Sequence, residues 1–253
     1  MNRLTVDEYV DALESGGELL RNAAVRVDLD TAIPTCPGWQ MRDLLRHTGQ
    51  VHRWASRYIA EGLQDMVPTM SEAEQLGSGP PDAELVDWFS AGHRELVKTL
   101  RAADPDVQAW TFLDAPSPLT FWARRQAHET AIHRADAELA SGSVTPYAPH
   151  FAVDGIEELL FGFAERSARR LRADRRRVFA IHLSDAGDTY LITMGPDGGS
   201  ASREKGDADC VVNGRASDLY LMLWNRRGLA GLATAGDPAV IDAWRGQVQV
   251  RWG

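Results

Sequence analysis

The 253-residue sequence is poor in cysteine, in long apolar runs and in positive charge, and each shortage excludes a class of protein. Its two cysteines, Cys36 and Cys210, lie far apart and fit neither a cysteine-rich metal knuckle nor a secreted disulfide framework. No stretch reaches the ~20 apolar residues that a membrane-spanning helix needs. A formal net charge of −9 gives no electrostatic basis for nucleic-acid binding. We therefore expect neither a nucleic-acid partner nor a membrane partner.

What is present is typical of a globular protein. Hydrophobic residues make up 44% of the chain and charged residues 25%. The amino-terminal residues 1–13 form an amphipathic, partly acidic pattern without the apolar core of a signal peptide. We therefore expect a cytoplasmic protein. The length suits one large domain or two small ones.

Helical periodicity dominates the first part of the chain. Two prolines make Ile33–Gly38 a stiff turn, Met66–Pro81 is a long loop, and Pro105–Ser117 is an irregular connection. Apolar residues at helical spacing predict four helices of about 20 residues, a number and length typical of a bundle. These helices are Thr5–Val27, Trp39–Glu61, Asp82–Ala103 and Thr120–Ala140.

The second part has a different pattern. Gly142–Pro149 reads as a boundary, so we predict one domain at residues 1–145 and another at 146–253. After a further helix the apolar period shortens to that of strands, which predicts an α+β fold class for the whole chain. The expected elements are helices at Phe151–Arg172, Ser217–Asn225 (with Ser217 as its cap) and Asp237–Trp244, and strands at Arg177–Leu183, Thr189–Met194, Asp209–Asn213 and Gln247–Trp252.

One pair of polar residues could begin a metal site. Glu129 and His133 are spaced i, i+4, which places them on one side of the fourth helix, and His47 interrupts the apolar face of the second. Two histidines and a carboxylate match a catalytic zinc site, which has three protein ligands and one open position. Other readings stay open at this point: a simple Glu129–His133 charge pair, a hydrogen-bonded core histidine at position 47, or His52 as the ligand in place of His47. His128 is interpreted either as a packing residue or as a residue that supports the ligands from behind.

Several motifs together resemble a known family, the mycothiol-dependent maleylpyruvate isomerases. The resemblance covers nearly the whole chain and implies a DinB-like four-helix bundle followed by a small sterol-carrier-like α+β domain. The motifs that carry it are Cys36-Pro37-Gly38-Trp39, Arg42-Asp43-Leu44-Leu45 with His47, Arg124-Arg125-x-x-x-Glu129-x-x-x-His133, Asp209–Leu223 and Ala235-Gly236-Asp237-Pro238.

The resemblance also implies ligands and a reaction. It places zinc, or another divalent metal, on His47, Glu129 and His133, and it makes mycothiol the thiol cosubstrate. The thiolate adds to an electrophilic small molecule, and the enzyme acts as an isomerase or an S-transferase. A basic residue after the carboxy-terminal helix is implicated in catalysis, and Arg226 is the matching position, although Arg227 is adjacent and either could simply cap the helix.

Three alternatives remain at the level of sequence. The metal could activate water for hydrolysis. The chain could bind a metal or an apolar ligand without catalysis, or the bundle could hold no metal at all. Cys36 and Cys210 are both interpreted as structural, and the sequence predicts neither the electrophile nor the oligomeric state.

Overall fold

A computed structural model of the chain describes residues 4–68, 74, 77, 79–166 and 168–248, which divide into two units between Thr145 and Pro146. The first unit is helical, and the second combines helices with one sheet, so the predicted α+β class is confirmed. Half of the predicted loop Met66–Pro81 and most of the predicted strand Gln247–Trp252 lie outside the described residues. Within the described ranges, no helix has the length and apolar character needed to cross a bilayer.

Four long helices build the described part of the first unit, and their predicted positions are confirmed to within three residues. Thr5 and Glu8 cap the first helix reciprocally, and Gly62 ends the second in the left-handed region at φ 61°. Ser117 caps the fourth helix, whose first residue is a proline. The helices are α1 (Val6–Ala24), α2 (Met41–Glu61), α3 (Asp82–Ala102) and α4 (Pro118–Ser141).

These helices pack in a closed ring. Helix α1 contacts α3 and α4, and α2 contacts the same two helices from the other side. Helix α4 is buried around most of its circumference, including polar residues such as Arg125, Gln126 and Asp136. Buried polar groups need partners, so the core of this unit contains polar networks as well as apolar contacts.

The turn between α1 and α2 is fixed by its own backbone. The Ile33 N–H donates to the Trp39 carbonyl at 2.9 Å, and the Met41 N–H donates to the Thr31 carbonyl at 2.9 Å. Gly38 has φ 87°, a conformation that favours glycine. Residues 31–40, which we call the entry turn, therefore hold a defined shape where α2 begins. This hydrogen bonding keeps Trp39 out of the helix, so α2 begins two residues later than predicted.

The second unit begins with an interrupted helix. The helix predicted over Phe151–Arg172 is present but is not uniform, because helix α5 (Pro149–Glu157) continues as a wider π-helix over Glu158–Ala164 and a short 3-10 turn follows at Ala168–Arg170. Apolar spacing alone does not distinguish these helix types. The predicted cap of the next helix is wrong, since Arg215 occupies the cap position and the Ser217 hydroxyl accepts from the Tyr147 N–H at 3.0 Å.

A five-stranded sheet in the order β3-β2-β1-β4-β5 forms the rest of the second unit. The central strand β1 pairs antiparallel with β2 and parallel with β4, while β3 and β5 add antiparallel edges. The three strands predicted upstream of Gln247 are confirmed to within one residue, and both edge strands were missed. The elements are β1 (Arg177–Leu183), β2 (Thr189–Gly195), β3 (Gly198–Ser202), β4 (Cys210–Gly214), α6 (Ala216–Leu223), β5 (Ala233–Gly236) and α7 (Ala239–Gln247).

Candidate metal centre

Two neighbouring helices bring three potential metal ligands together. His47 lies on α2, and Glu129 and His133 lie on α4. The Nε2 atom of His47 is 3.4 Å from Glu129 Oε1, and the Nε2 atom of His133 is 3.2 Å from the same oxygen. The ligand atoms of all three lie within 4.8 Å of one another, and all three side chains are buried. The structure thus assembles the three residues that the sequence singled out.

Helix geometry explains how the cluster forms. An i, i+4 spacing places Glu129 and His133 on the same face of α4. Farther along the helices, the rings of Trp54 on α2 and Trp122 on α4 lie 5.0 Å apart. Trp54 comes after His47 on α2, whereas its partner Trp122 comes before Glu129 on α4, so the two helices run antiparallel. That arrangement sets His47 opposite the Glu129–His133 pair.

The donor spacing fits a divalent metal ion. Two metal–ligand bonds of about 2.0–2.1 Å at the tetrahedral angle separate their donor atoms by about 3.3 Å. The distances from Glu129 Oε1 to the two histidine nitrogens, 3.4 and 3.2 Å, match that separation. Two imidazoles and one carboxylate also form a donor set that zinc accepts, although iron, nickel and manganese accept it too.

The cluster is electrostatically coupled. Burial by itself would raise the pKa of the Glu129 carboxyl, but hydrogen bonds from His133 and His47 and the charges of His133 and Arg125 hold that pKa well below its usual range. Burial would likewise lower the pKa of His133, but hydrogen bonds and charges from Asp136 and Glu129 raise it to about 9. At neutral pH the raised pKa of His133 favours its imidazolium form, which pairs with the carboxylates of Asp136 and Glu129.

Four residues that the sequence reasoning did not assign to the site surround these ligands. Arg125 Nη2 donates to Glu129 Oε2 at 3.1 Å, and Asp136 Oδ2 lies 2.9 Å from His133 Nδ1. Thr35 and Cys36 of the entry turn both donate to Asp136. The i, i+3 and i, i+4 spacings on α4 could have revealed the first two residues, whereas nothing local in the sequence links the entry turn to α4.

An aromatic side chain of the entry turn covers the two histidines. The Trp39 ring centroid lies 5.0 Å from that of His47 and 6.3 Å from that of His133. The plane of the Trp39 ring is nearly parallel to the plane of the His133 ring. The two imidazoles themselves meet edge to face at 4.9 Å. Trp39 therefore limits how the histidine rings can turn.

The alternative ligand lies elsewhere in the bundle. His52 is fully buried, and its Nε2 atom is 2.8 Å from the Thr130 hydroxyl. Its ring faces Phe89 and His93 rather than the cluster, and burial together with the charge of His93 lowers its pKa well below the ordinary value. His128 is also buried, with its ring edge against Tyr9, a contact that fits the first of its two interpretations, a packing residue.

Arg226 lies in the second unit, directly after α6. Its backbone N–H donates to the Leu221 carbonyl at 2.7 Å, and its guanidinium donates to the Trp224 carbonyl at 2.9 Å. The neighbouring Arg227 forms an ion pair with Asp218. These contacts are those of a helix terminus, and a catalytic role for Arg226 stays a prediction.

Comparisons with known proteins agree over both units. The family model for the mycothiol maleylpyruvate isomerase N-terminal domain matches residues 10–138, and the model for the C-terminal domain of the same family matches residues 150–243. No curated protein matches the chain at a significant level.

Two solved structures have the same fold, a mycothiol-dependent maleylpyruvate isomerase and a histidine-to-alanine mutant of it. Each is 14% identical to this chain, and each match has a TM-score of 0.66 and covers 92% of this chain and 93% of the other. At this identity the structural likeness concerns the fold alone.

Proposed function

Since this chain belongs to the mycothiol maleylpyruvate isomerase family, we propose that it is an enzyme that activates mycothiol for addition to an electrophilic small molecule. Isomerisation about a double bond is the proposed outcome, supported by the family's name. The observation that carries the proposal is the convergence of His47, Glu129 and His133 in a buried cluster. We propose that these three side chains hold zinc.

Zinc held at the position between His47, Glu129 and His133 would supply a positive charge that favours the thiolate form of mycothiol. The protein's own residues prepare that position. His47 and His133 offer ring nitrogens, and Glu129 supplies a negative charge whose second oxygen is held by Arg125. Burial of all three side chains keeps bulk water away, which strengthens each electrostatic interaction in the site.

The reacting thiol is proposed to come from the cosubstrate rather than from the protein. Cys210 is fully buried in β4, and burial, with the charge of Asp237, raises the pKa of its thiol. Cys36 is half-buried, and its thiol donates to Asp136. A nucleophilic cysteine requires an accessible thiolate, so neither residue suits the role.

Arg226 is proposed as a catalytic residue that binds an oxygen of the electrophile. A guanidinium presents several N–H donors in a plane and matches a carboxylate or an enolate oxygen. Of the two adjacent arginines, Arg226 is proposed because it is the position that matches the basic residue implicated in the family. Arg226→Ala should therefore lower kcat/KM for the electrophile at least tenfold, while Arg227→Ala changes it little.

The decisive experiment combines metal content with thiol dependence. The purified protein should contain about one zinc ion per chain and should isomerise maleylpyruvate only when mycothiol is present. His47→Ala and Glu129→Ala should lose both the zinc and the activity. His52→Gln, a change at another buried histidine of the same helix, should keep the zinc.

Three results would overturn this proposal. Equal turnover without a thiol would indicate zinc-activated water and a hydrolase. Zinc loading without any affinity for mycothiol would indicate a binding protein. Loss of zinc from His52→Gln but not from His47→Ala would show that the ligands are wrongly assigned. Recovery of a stable thiol conjugate instead of an isomer would indicate that the enzyme is an S-transferase that uses the same metal centre.

A further inference from the structure

Asp136 is the most deeply buried carboxylate near the candidate metal centre, with no exposed surface. It lies one helical turn after His133 on α4, and its Oδ2 atom is 2.9 Å from His133 Nδ1. The other carboxylate oxygen, Oδ1, accepts a hydrogen bond from the Thr35 hydroxyl, and the Cys36 thiol approaches Oδ2 at 3.5 Å. The carboxylate thus joins a ligand on α4 to the entry turn, which is about 100 residues away in sequence.

These contacts determine which nitrogen of His133 faces the cluster. An ionised carboxylate only accepts hydrogen bonds, so the Nδ1 atom of His133 must carry a proton. In the neutral imidazole the lone pair then belongs to Nε2, the atom that lies 3.2 Å from Glu129 Oε1. The arrangement presents Nε2, rather than Nδ1, to a metal shared with Glu129 and His47.

We propose that Asp136 is a positioning residue of the metal centre and that Thr35 holds Asp136 in place, so the entry turn forms a third wall of the site. This inference rests on the proposed function, because it concerns how His133 is presented to zinc. Trp39 belongs to the same turn and covers the rings of both histidine ligands. The geometry therefore couples the conformation of the entry turn to the occupancy of the metal centre.

The first test measures zinc affinity by competition with a chelator, using the full chain stripped of metal. Loss of a carboxylate that orients a histidine ligand typically weakens metal binding 10–100-fold, and we expect that loss for Asp136→Ala. Asp136→Asn keeps an acceptor for Nδ1 and should fall between Asp136→Ala and the unchanged protein. Thr35→Val should weaken binding severalfold, and Thr35→Ser, which keeps the hydroxyl, should restore it.

Thr48→Val provides the matched control. Thr48 is buried on α2 beside His47, and its hydroxyl donates to the Leu44 carbonyl of the same helix. The change removes a buried hydroxyl of the same kind without touching Asp136. Zinc affinity should stay within twofold of that of the unchanged protein.

The second test is hydrogen exchange in the entry turn, which a merely structural role would not link to the metal. Saturating zinc should slow exchange at residues 35–39 in the unchanged protein and should have little effect there in Thr35→Val. Failure of the unchanged protein to bind zinc overturns the proposed function. Normal zinc affinity in Thr35→Val and in Asp136→Asn, with exchange in the turn still responding to zinc, overturns this inference alone, even where Asp136→Ala does not fold.

Discussion

Each buried charge of the candidate centre depends on its neighbours. His133 is held as a cation by Asp136 and Glu129, and Glu129 is held as an anion by His133, His47 and Arg125. Isolated charges at this depth would be strongly destabilising, whereas a hydrogen-bonded network of them can persist. The same coupling gives the metal-free protein a characteristic dependence on pH.

The metal-free protein should lose stability as the pH rises from 6.5 through 9. The pKa of His133 is raised from its ordinary value of 6.5 to about 9, so the folded state binds its proton more tightly than the unfolded state does. The stabilisation by this proton is complete at pH values below the pKa of the unfolded state. It is lost as the pH rises past the pKa of the folded state. We expect the free energy of unfolding in urea to fall by up to roughly 3 kcal/mol over this range.

His133→Gln serves as the control for that measurement. Glutamine fills a similar space without a titrating ring, so this variant should lack the fall between pH 6.5 and 9 that belongs to His133. Other titrating groups contribute to the free energy of unfolding in both proteins, so their contributions cancel in the comparison. Parallel curves for the two proteins would contradict the assignment of the raised pKa to His133.

Sequence reasoning identified the three residues of the candidate metal centre but not the residues that contact them. The i, i+4 spacing of Glu129 and His133, and the polar ring of His47 in an apolar stripe, are local signals. The hydrogen bond between Thr35 and Asp136 joins positions that are 101 residues apart. Such a contact depends on how the helices pack, and no periodicity in the sequence encodes it.

At the scale of elements, α4 departs most from its sequence pattern. A single apolar stripe along Thr120–Ala140 predicts one buried face, whereas the helix is buried on nearly every side. Its charged residues are accommodated by pairing along the helix, as Arg125 pairs with Glu129 and Arg134 with Glu138. A polar pattern was therefore a poor guide to exposure, because the charged residues of this helix are buried as pairs.

Helix α1 allows a test of close packing with two adjacent glycines. A Cβ atom at Gly17 would lie 2.3 Å from the His93 ring, which is buried and whose Nε2 atom donates to the Leu13 carbonyl. A Cβ atom at Gly16 would meet Thr130 at an ordinary 3.6 Å. We expect Gly16→Ala to stabilise the protein by up to about 1 kcal/mol and Gly17→Ala to destabilise it by roughly 1–2 kcal/mol, measured by urea denaturation.

The two variants control for each other. Both replace glycine by alanine inside the same helix, so the gain in helix propensity is the same and only the contact with His93 differs. Equal stabilisation in both would show that α3 can move away from α1 at little cost. The result would then remove the packing explanation for Gly17.

The elements that sequence reasoning missed in the second unit are those with weak local preference. Strand β3 has the sequence GGSAS and strand β5 the sequence ATAG, which contain almost no β-branched or aromatic residues. Pairing with their neighbours, β2 and β4, defines them as strands. The confirmed strands β1 and β2, in contrast, are rich in such residues and could be predicted locally.

At the scale of the whole molecule, all three proposed ligands lie in the first unit, and each unit has its own buried core. The second unit also contains a natural reporter, since Cys210 is completely buried in its sheet. A buried thiol reacts with an alkylating agent only after the structure around it opens. The labelling rate of Cys210 in mild denaturant therefore measures the opening of the second unit.

Zinc should stabilise the unit that binds it. At a free concentration 100 times its Kd, a ligand that binds only the folded state contributes about 2.7 kcal/mol. If the units at residues 4–145 and 146–248 are separate domains, as we propose, zinc should slow hydrogen exchange in α2 and α4 by up to about 100-fold and leave the labelling rate of Cys210 unchanged. His47→Ala should abolish the first effect without altering the second rate. Slowing of Cys210 labelling by the same factor would show that the units open together, because stabilisation at the metal centre reaches the second unit only if both unfold in one cooperative step.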